Sequence, residues 1–522
     1  MLTEPAALGQ DRWRLVRVSE ESGDREATGW LRGQRSALVL VSPSGDIDPH
    51  LLRFALDLPR ARSTVEGYLT DVCVFLNWLH IVYPGVDWRS CAWRPHVAGF
   101  FEYRRRNDVR PVSAGTASRN RAALNALYGW AADEGALPAS PMVSAGTRER
   151  SRGSASGLHD HRSTVAINMT KGGTRHEVKW VSRRAYSRWR LEGLLGLQSD
   201  KPDQEPRVMM GNRNAAFADL LYATGMRRQE AAGLLTLEIP ERSNERRLAK
   251  GRIPGALSKG APPRGRFFYV DQRTLAGIDS YVRTDREMQV YFGQQAGLYE
   301  GDASALLVEK VYWQAVGDHR VADSIVILGH RSRRRNGAWR FDDLDLEMRK
   351  HLYSVDDTGQ RRPLMLWLSH GGQPMNPRSW NGVFDDANER LARAVWSART
   401  RAQADSPMRM DAPYRIHPHM LRHSFALRRF SVAATLMARS AKAPSPSELE
   451  ELIRRTNIWM LLQSQLGHRD IETTRNVYLE PVVNLEWEFF VEAAAEEVEN
   501  VDQVLAQIAV DHPGIIDVAA VT

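Results

Sequence analysis

Four segments of this chain carry residue types that can do chemistry. TGMRRQE presents Arg227, LSKG presents Lys259, HPHMLRHSFA presents His419 and Arg422, and LGHRDIETTRNVY presents His468 and Tyr478. A phenol becomes a nucleophile when it ionises, a guanidinium fork fits phosphate or carboxylate oxygens, and lysine and imidazole groups carry protons. Singly, each has a plain structural reading. Tyr478 is the only tyrosine after Tyr414 and precedes Glu480-Pro481, where a helix is expected to stop, so it can simply pack there. Arg227 can cap a helix after a glycine turn, and His468 can cap a helix terminus. His417-Pro418-His419 invites a metal reading, but neither Cys nor an acidic partner stands at ligand spacing, so a zinc site is not expected there.

The order and local spacing of these segments resemble the tyrosine recombinase (phage integrase) family. Its pattern runs Arg in a TGLR-like turn, Lys on a β-hairpin, His-x-x-Arg, Gly-His and then Tyr. HMLRHSFA together with LGHRDIETTRNVY makes the likeness specific. The resemblance covers about 181–485 and, more loosely, the helical region before it. It implies a mainly α fold with a small β-sheet or hairpin in the catalytic domain, preceded by a helical SAM-like core-binding domain. It also implies double-stranded DNA as the partner, a homotetramer on paired sites, and no metal, ATP or other cofactor.

The implied chemistry explains why these residue types must converge. Tyr478 would attack the phosphodiester and keep the phosphoryl group as a 3′-phosphotyrosyl ester. Ionising a phenol of pKa near 10 at pH 7 costs roughly 4 kcal/mol, which cationic neighbours must offset. In the resemblance Arg227 and Arg422 hold the nonbridging oxygens and stabilise the transition state in place of a metal. Lys259 protonates the departing 5′-oxygen, His419 serves proton traffic at the nucleophile, and His468 orients the phosphate. Two readings of other kinds share the pattern: a noncatalytic DNA-binding protein on this fold, and a type IB topoisomerase-like enzyme.

The elements that must position these groups are legible in part. Over 522 residues, more than one core is expected. Lys and Arg exceed Asp and Glu by 71 to 63, giving a net charge of +8, which suits nucleic acid without requiring it. Cys73 and Cys91 read as small apolar residues of a reducing compartment, and no membrane segment or leader is evident, so a cytoplasmic address is expected. Residues 1–50 read as an arm. A helical domain over 51–145 follows from the capping-box pattern Ser63–Glu66 with Val65, Leu69, Val72, Phe75, Leu76 and Leu79, and from Ala123, Leu124, Leu127, Tyr128 and Ala131. Arg119 and Arg121 near the start of that second helix are placed to meet DNA phosphates.

Residues 146–180 have linker composition. In the catalytic region, 181–485, RNAAFADLLYATGMRRQEAAGLL reads as a helix broken at Thr224-Gly225, and RFFYV after GAPPRG reads as a strand. Beyond it the chain reads as mainly helical, with an insertion at about 280–362. The many tryptophans are expected to anchor cores or interfaces. No Lys or Arg follows Arg475, so the acidic tail, 486–522, is expected to touch protein, either its own domain or a neighbouring protomer.

Overall fold

The computed structural model describes residues 12–19, 36–59, 62–106, 112, 114–142, 180–197, 208–258, 265–330, 332, 337–402, 414–440, 445–455, 458–467 and 515–516. Lys259, His468 and Tyr478 lie outside the described residues, as does most of the acidic tail. The chain divides into two compact units, Met1–His176 and Glu177–Thr522.

The first unit opens with an antiparallel pair, β1 (Arg14–Ser19) and β2 (Ser36–Val41), within the stretch read as an arm. Asp48 then accepts from the backbone N–H groups of His50 and Leu51, and with Pro49 in the first turn it starts α1 (Pro49–Asp57). Three further helices follow: α2 (Arg62–Val82), α3 (Ala98–Arg106) and α4 (Ala114–Asp133). Because α2 starts at Arg62, Ser63 lies inside the first turn rather than ahead of it. The apolar positions named above on α2 and α4 share one core with Phe54 and Phe100. Cys91 belongs to that core, and burial pushes its thiol up to about 11. Leu40 of β2 enters the same core, and Trp13 donates its backbone N–H to Asn77 Oδ1 at 2.8 Å.

Arg119 makes a two-pronged ion pair across this unit. Its Nε and Nη2 donate to the Asp71 carboxylate at 2.7 and 3.0 Å, and Asp71 is buried on α2. Its guanidinium therefore ties α4 to α2. Arg121 stands half-buried two residues further along α4.

The second unit begins with β3 (Trp180–Val181) and α5 (Arg183–Arg188), capped by Ser182 Oγ. Next come α6 (Gly211–Thr224) and α7 (Arg228–Ala232), broken at Gly225 as the sequence suggests. Strands β4 (Leu248–Ile253) and β5 (Arg266–Asp271) pair antiparallel with Lys250 opposite Tyr269. Asp271 then caps α8 (Gln272–Tyr281), and α9 (Glu287–Gln295) follows.

The stretch after β5 departs from the mainly helical reading. Residues 306–363 supply β6 (Leu306–Val316), β7 (His319–Ile327), β8 (Trp339–Arg340), β9 (Leu352–Val355) and β10 (Arg361–Pro363), with the short α10 (Leu346–Lys350) between β8 and β9. They form a five-stranded sheet in the order β10-β9-β6-β7-β8. Val316 pairs with His319 across Gly317-Asp318, and Gly317 has φ of 60°, the backbone a two-residue hairpin turn needs at that place. Ile325, Phe341, Leu344, Leu352 and Tyr353 give this sheet a core of its own. The fully buried Arg349 fastens it to the segment after α7 by donating to Glu238 at 2.8 and 2.9 Å and to the Gly233 carbonyl.

The helices α11 (Ser379–Ala402), α12 (Pro418–Ser440), α13 (Pro446–Arg455) and α14 (Ile458–Leu466) complete the unit. Phe217 of α6 stacks on Trp380 of α11 with ring centroids 3.5 Å apart, and Trp189 and Trp367 are buried in the same core. These tryptophans are core anchors, as expected. From the tail, β11 (Ile515–Ile516) pairs parallel with β3, so its described residues contact their own chain. Among the described residues no helix is long and apolar enough to cross a membrane.

Candidate active site

The site is assembled at helix ends, where backbone groups lack helical partners. Residue Gly225 closes α6 with φ of 65°, and an added Cβ would lie 2.3 Å from the Phe425 ring of α12. Only glycine fits both the backbone and the space. Gly225→Ala is therefore expected to lower stability by about 2–4 kcal/mol, combining left-handed strain with overpacking. Urea unfolding checks this, and a change of less than about 0.5 kcal/mol would contradict the close approach.

That turn delivers Arg227 to the start of α7. Its backbone N–H and Nη1 both donate to Glu230, at 2.7 and 2.9 Å, and Nη2 donates to the Gly467 carbonyl at 3.3 Å. Arg422, on the second turn of α12, is fully buried. It donates through Nη1 to the Gly225 carbonyl and through Nη2 to the Leu466 carbonyl. The two arginines thus meet adjacent carbonyls of the Gly-His box, immediately before His468.

A third guanidinium, not singled out in the sequence, completes the cluster. Arg266 at the start of β5 donates to both Glu230 oxygens and, through Nε, to the Gln465 carbonyl at 2.9 Å. Gly467 has φ of 63°, and a Cβ there would press on the Arg266 side chain at 3.0 Å. This is the physical reason for Gly before His468.

Glu230 sits at the centre with no solvent exposure. Burial by itself would raise its carboxyl, but the hydrogen bond and charge of Arg266, then the charges of Arg422 and Arg227, outweigh that and hold it below its ordinary value. It is therefore an ionised anchor. Three guanidiniums around one carboxylate leave a formal excess of two positive charges, an arrangement that favours a further anion. Glu230 had a signal in the sequence, because it stands three residues after Arg227 where a capping-box acid belongs.

His419 lies in the first turn of α12 and is exposed. Its ring stands edge-on to that of His423, one turn on and buried, with centroids 4.5 Å apart. Among the described residues no group of His, Cys, Asp or Glu has the arrangement to hold a metal ion.

Comparison with known proteins bears first on the helical unit. The family model for the phage integrase N-terminal SAM-like domain matches residues 52–135. No curated protein matches the sequence. Among solved structures, the chain is similar to XerH site-specific recombinase bound to palindromic difH substrate, at 14% identity over 86% of this chain and 82% of that one, with a TM-score of 0.39. It is similar to the Tn1549 transposon integrase in complex with a circular intermediate DNA, at 12% identity over 81% and 90%, with a TM-score of 0.37. For XerA recombinase the values are 12% identity, 89% and 99% coverage, and a TM-score of 0.27. These overall similarities are low, and what the site can do rests on its own residues.

Proposed function

We propose that the chain is a metal-independent, site-specific DNA recombinase of the tyrosine type, an integrase or transposase, which cleaves and rejoins strands through a 3′-phosphotyrosyl bond to Tyr478. One observation carries this reading: Arg227 and Arg422 converge with the Gly-His box around a buried carboxylate, in a cluster with excess positive charge. A scissile phosphate is the anion that fits, because guanidinium forks match its nonbridging oxygens and stabilise the charge that grows on them as the phenolate attacks. Glu230 holds Arg227 and Arg266 in place, so little reorganisation is needed at the moment of reaction. In this proposal His468 orients the phosphate, His419 serves proton traffic at Tyr478, and Lys259 protonates the leaving 5′-oxygen. The phosphotyrosyl ester stores the energy of the broken linkage, so a 5′-hydroxyl reseals it without ATP. The match of residues 52–135 to the integrase SAM-like domain supports DNA as the partner. A homotetramer on paired sites follows from the resemblance.

The test is a set of nicked duplexes covering the DNA that flanks the chain's own gene, incubated with the protein in EDTA. A covalent adduct that survives detergent and disappears with protease is expected. Binding without any adduct would overturn the proposal in favour of a noncatalytic DNA-binding protein. Lys259 has a separate test in the same assay. Lys259→Ala is expected to lose most cleavage and to regain it on a substrate with sulfur at the bridging 5′ position, since a thiolate leaves without a proton. Rescue of Lys250→Ala instead would move the acid to the strand.

A further inference from the structure

The β6–β7 hairpin of the insertion sheet, β4 and the segment 236–246 before it enclose a cleft of about 690 Å³ that contains none of Arg227, His419 or Arg422. Its five Lys and Arg side chains outnumber its three carboxylates, Glu238, Glu241 and Asp318, and Glu238 is already paired with the buried Arg349. Three of the cations, Arg246, Lys250 and Arg320, have no carboxylate partner among the described residues. Two of them lie on aromatic rings instead. Lys250 Nζ stands 4.3 Å from the Phe267 ring centroid and 5.8 Å from that of Tyr269, and Arg320 Cζ stands 5.3 Å from that of Trp313. Arg246 spans from the segment before β4 to the turn of the β6–β7 hairpin, donating to the Asp318 carbonyl at 2.6 Å. Whereas Trp180, Trp189, Trp367 and Trp380 are buried, Trp313 is 40% exposed, and Phe267 and Tyr269 are each 37% exposed.

A cation held over a ring is fixed in position yet keeps outward N–H groups for an anion, and an exposed ring beside it can meet sugars or bases. We propose that this cleft holds the phosphate backbone of DNA outside the point of cleavage, so that the insertion lengthens the DNA footprint. The proposal rests on the recombinase reading for its choice of polyanion. Arg246, Lys250 and Arg320 supply the phosphate contacts, and Trp313 keeps Arg320 in place.

The experiment is a titration of the full chain with a labelled mixed-sequence duplex of about 60 base pairs, between about 50 and 300 mM salt. Each lost phosphate contact flattens the slope of log affinity against log salt by about 0.9. Arg320→Gln is expected to lower it by about one, and the triple variant Arg246→Gln, Lys250→Gln, Arg320→Gln by about two to three. Arg320→Lys should keep the slope, which separates charge from folding. An equal drop for Arg455→Gln, on α13 and away from the cleft, would overturn the assignment. So would an unchanged slope for the triple variant. An unchanged slope with weakened binding of a polyglutamate peptide would give the cleft to an acidic protein instead. Failure of the unaltered chain to bind any duplex would remove the recombinase reading itself, a result distinct from the failure of the cleft alone.

Discussion

Tyr478→Phe should form no covalent protein–DNA adduct while binding the same duplex within about twofold of the unaltered chain. One hydroxyl is removed, and that oxygen is the atom that would carry the phosphoryl group. Removing a covalent nucleophile costs about 10⁴-fold or more, which leaves no detectable product on the nicked substrate. Affinity rests on many phosphate contacts elsewhere and has no reason to change. The measurement is adduct formation at saturating DNA, with binding followed in parallel. Adduct at the usual yield from the Phe variant would remove Tyr478 from its assigned role.

Arg422→Ala and Arg227→Ala should each lower cleavage by about 10²–10⁴-fold at saturating DNA, the range for a donor aimed at transition-state charge. The two differ in what else they break. Arg422 is fully buried and donates to the carbonyls of Gly225 and Leu466. Its loss also strips those acceptors of a partner, at about 1–3 kcal/mol for each group left buried and unpaired. A lower unfolding midpoint is therefore expected alongside the lost cleavage. Arg227 keeps 22% of its side chain exposed, so its variant is the cleaner kinetic test. Single-turnover rates on folded protein give the answer, and a loss confined to affinity would make both arginines positioning residues.

The parts of this molecule that could be read in advance are those set by short-range pattern. Val65 through Leu79 and Ala123 through Ala131 repeat at helical spacing, and they line one core. Gly225 ends its helix because a positive φ is needed there. The insertion sheet was missed although Gly317-Asp318 lies between strand-forming runs. Register shifts between Val308 and Lys310, and between Tyr312 and Trp313, break the strict alternation by which a strand is recognised. Arg266 was missed for another reason. Its partners, Glu230 and Gln465, lie 36 and 199 positions away, and nothing local marks a strand residue that will reach them. For Arg119 the residue type suggested phosphate, and the pairing of its 58% exposed side chain with the buried Asp71 of another helix had no local mark.

The Arg266 contacts also bear on how motion passes through the site. Arg266 stands two residues after the segment 259–264, which includes Lys259, and it grips both Glu230 and the end of α14. Any displacement of α14 either breaks the bond from Arg266 to the Gln465 carbonyl or draws Arg266 away from Glu230, which is buried and would be left with one guanidinium fewer. A movement of α14 would thus reach the arginine cluster through two guanidiniums at once, Arg422 at the Leu466 carbonyl and Arg266 at the Gln465 carbonyl.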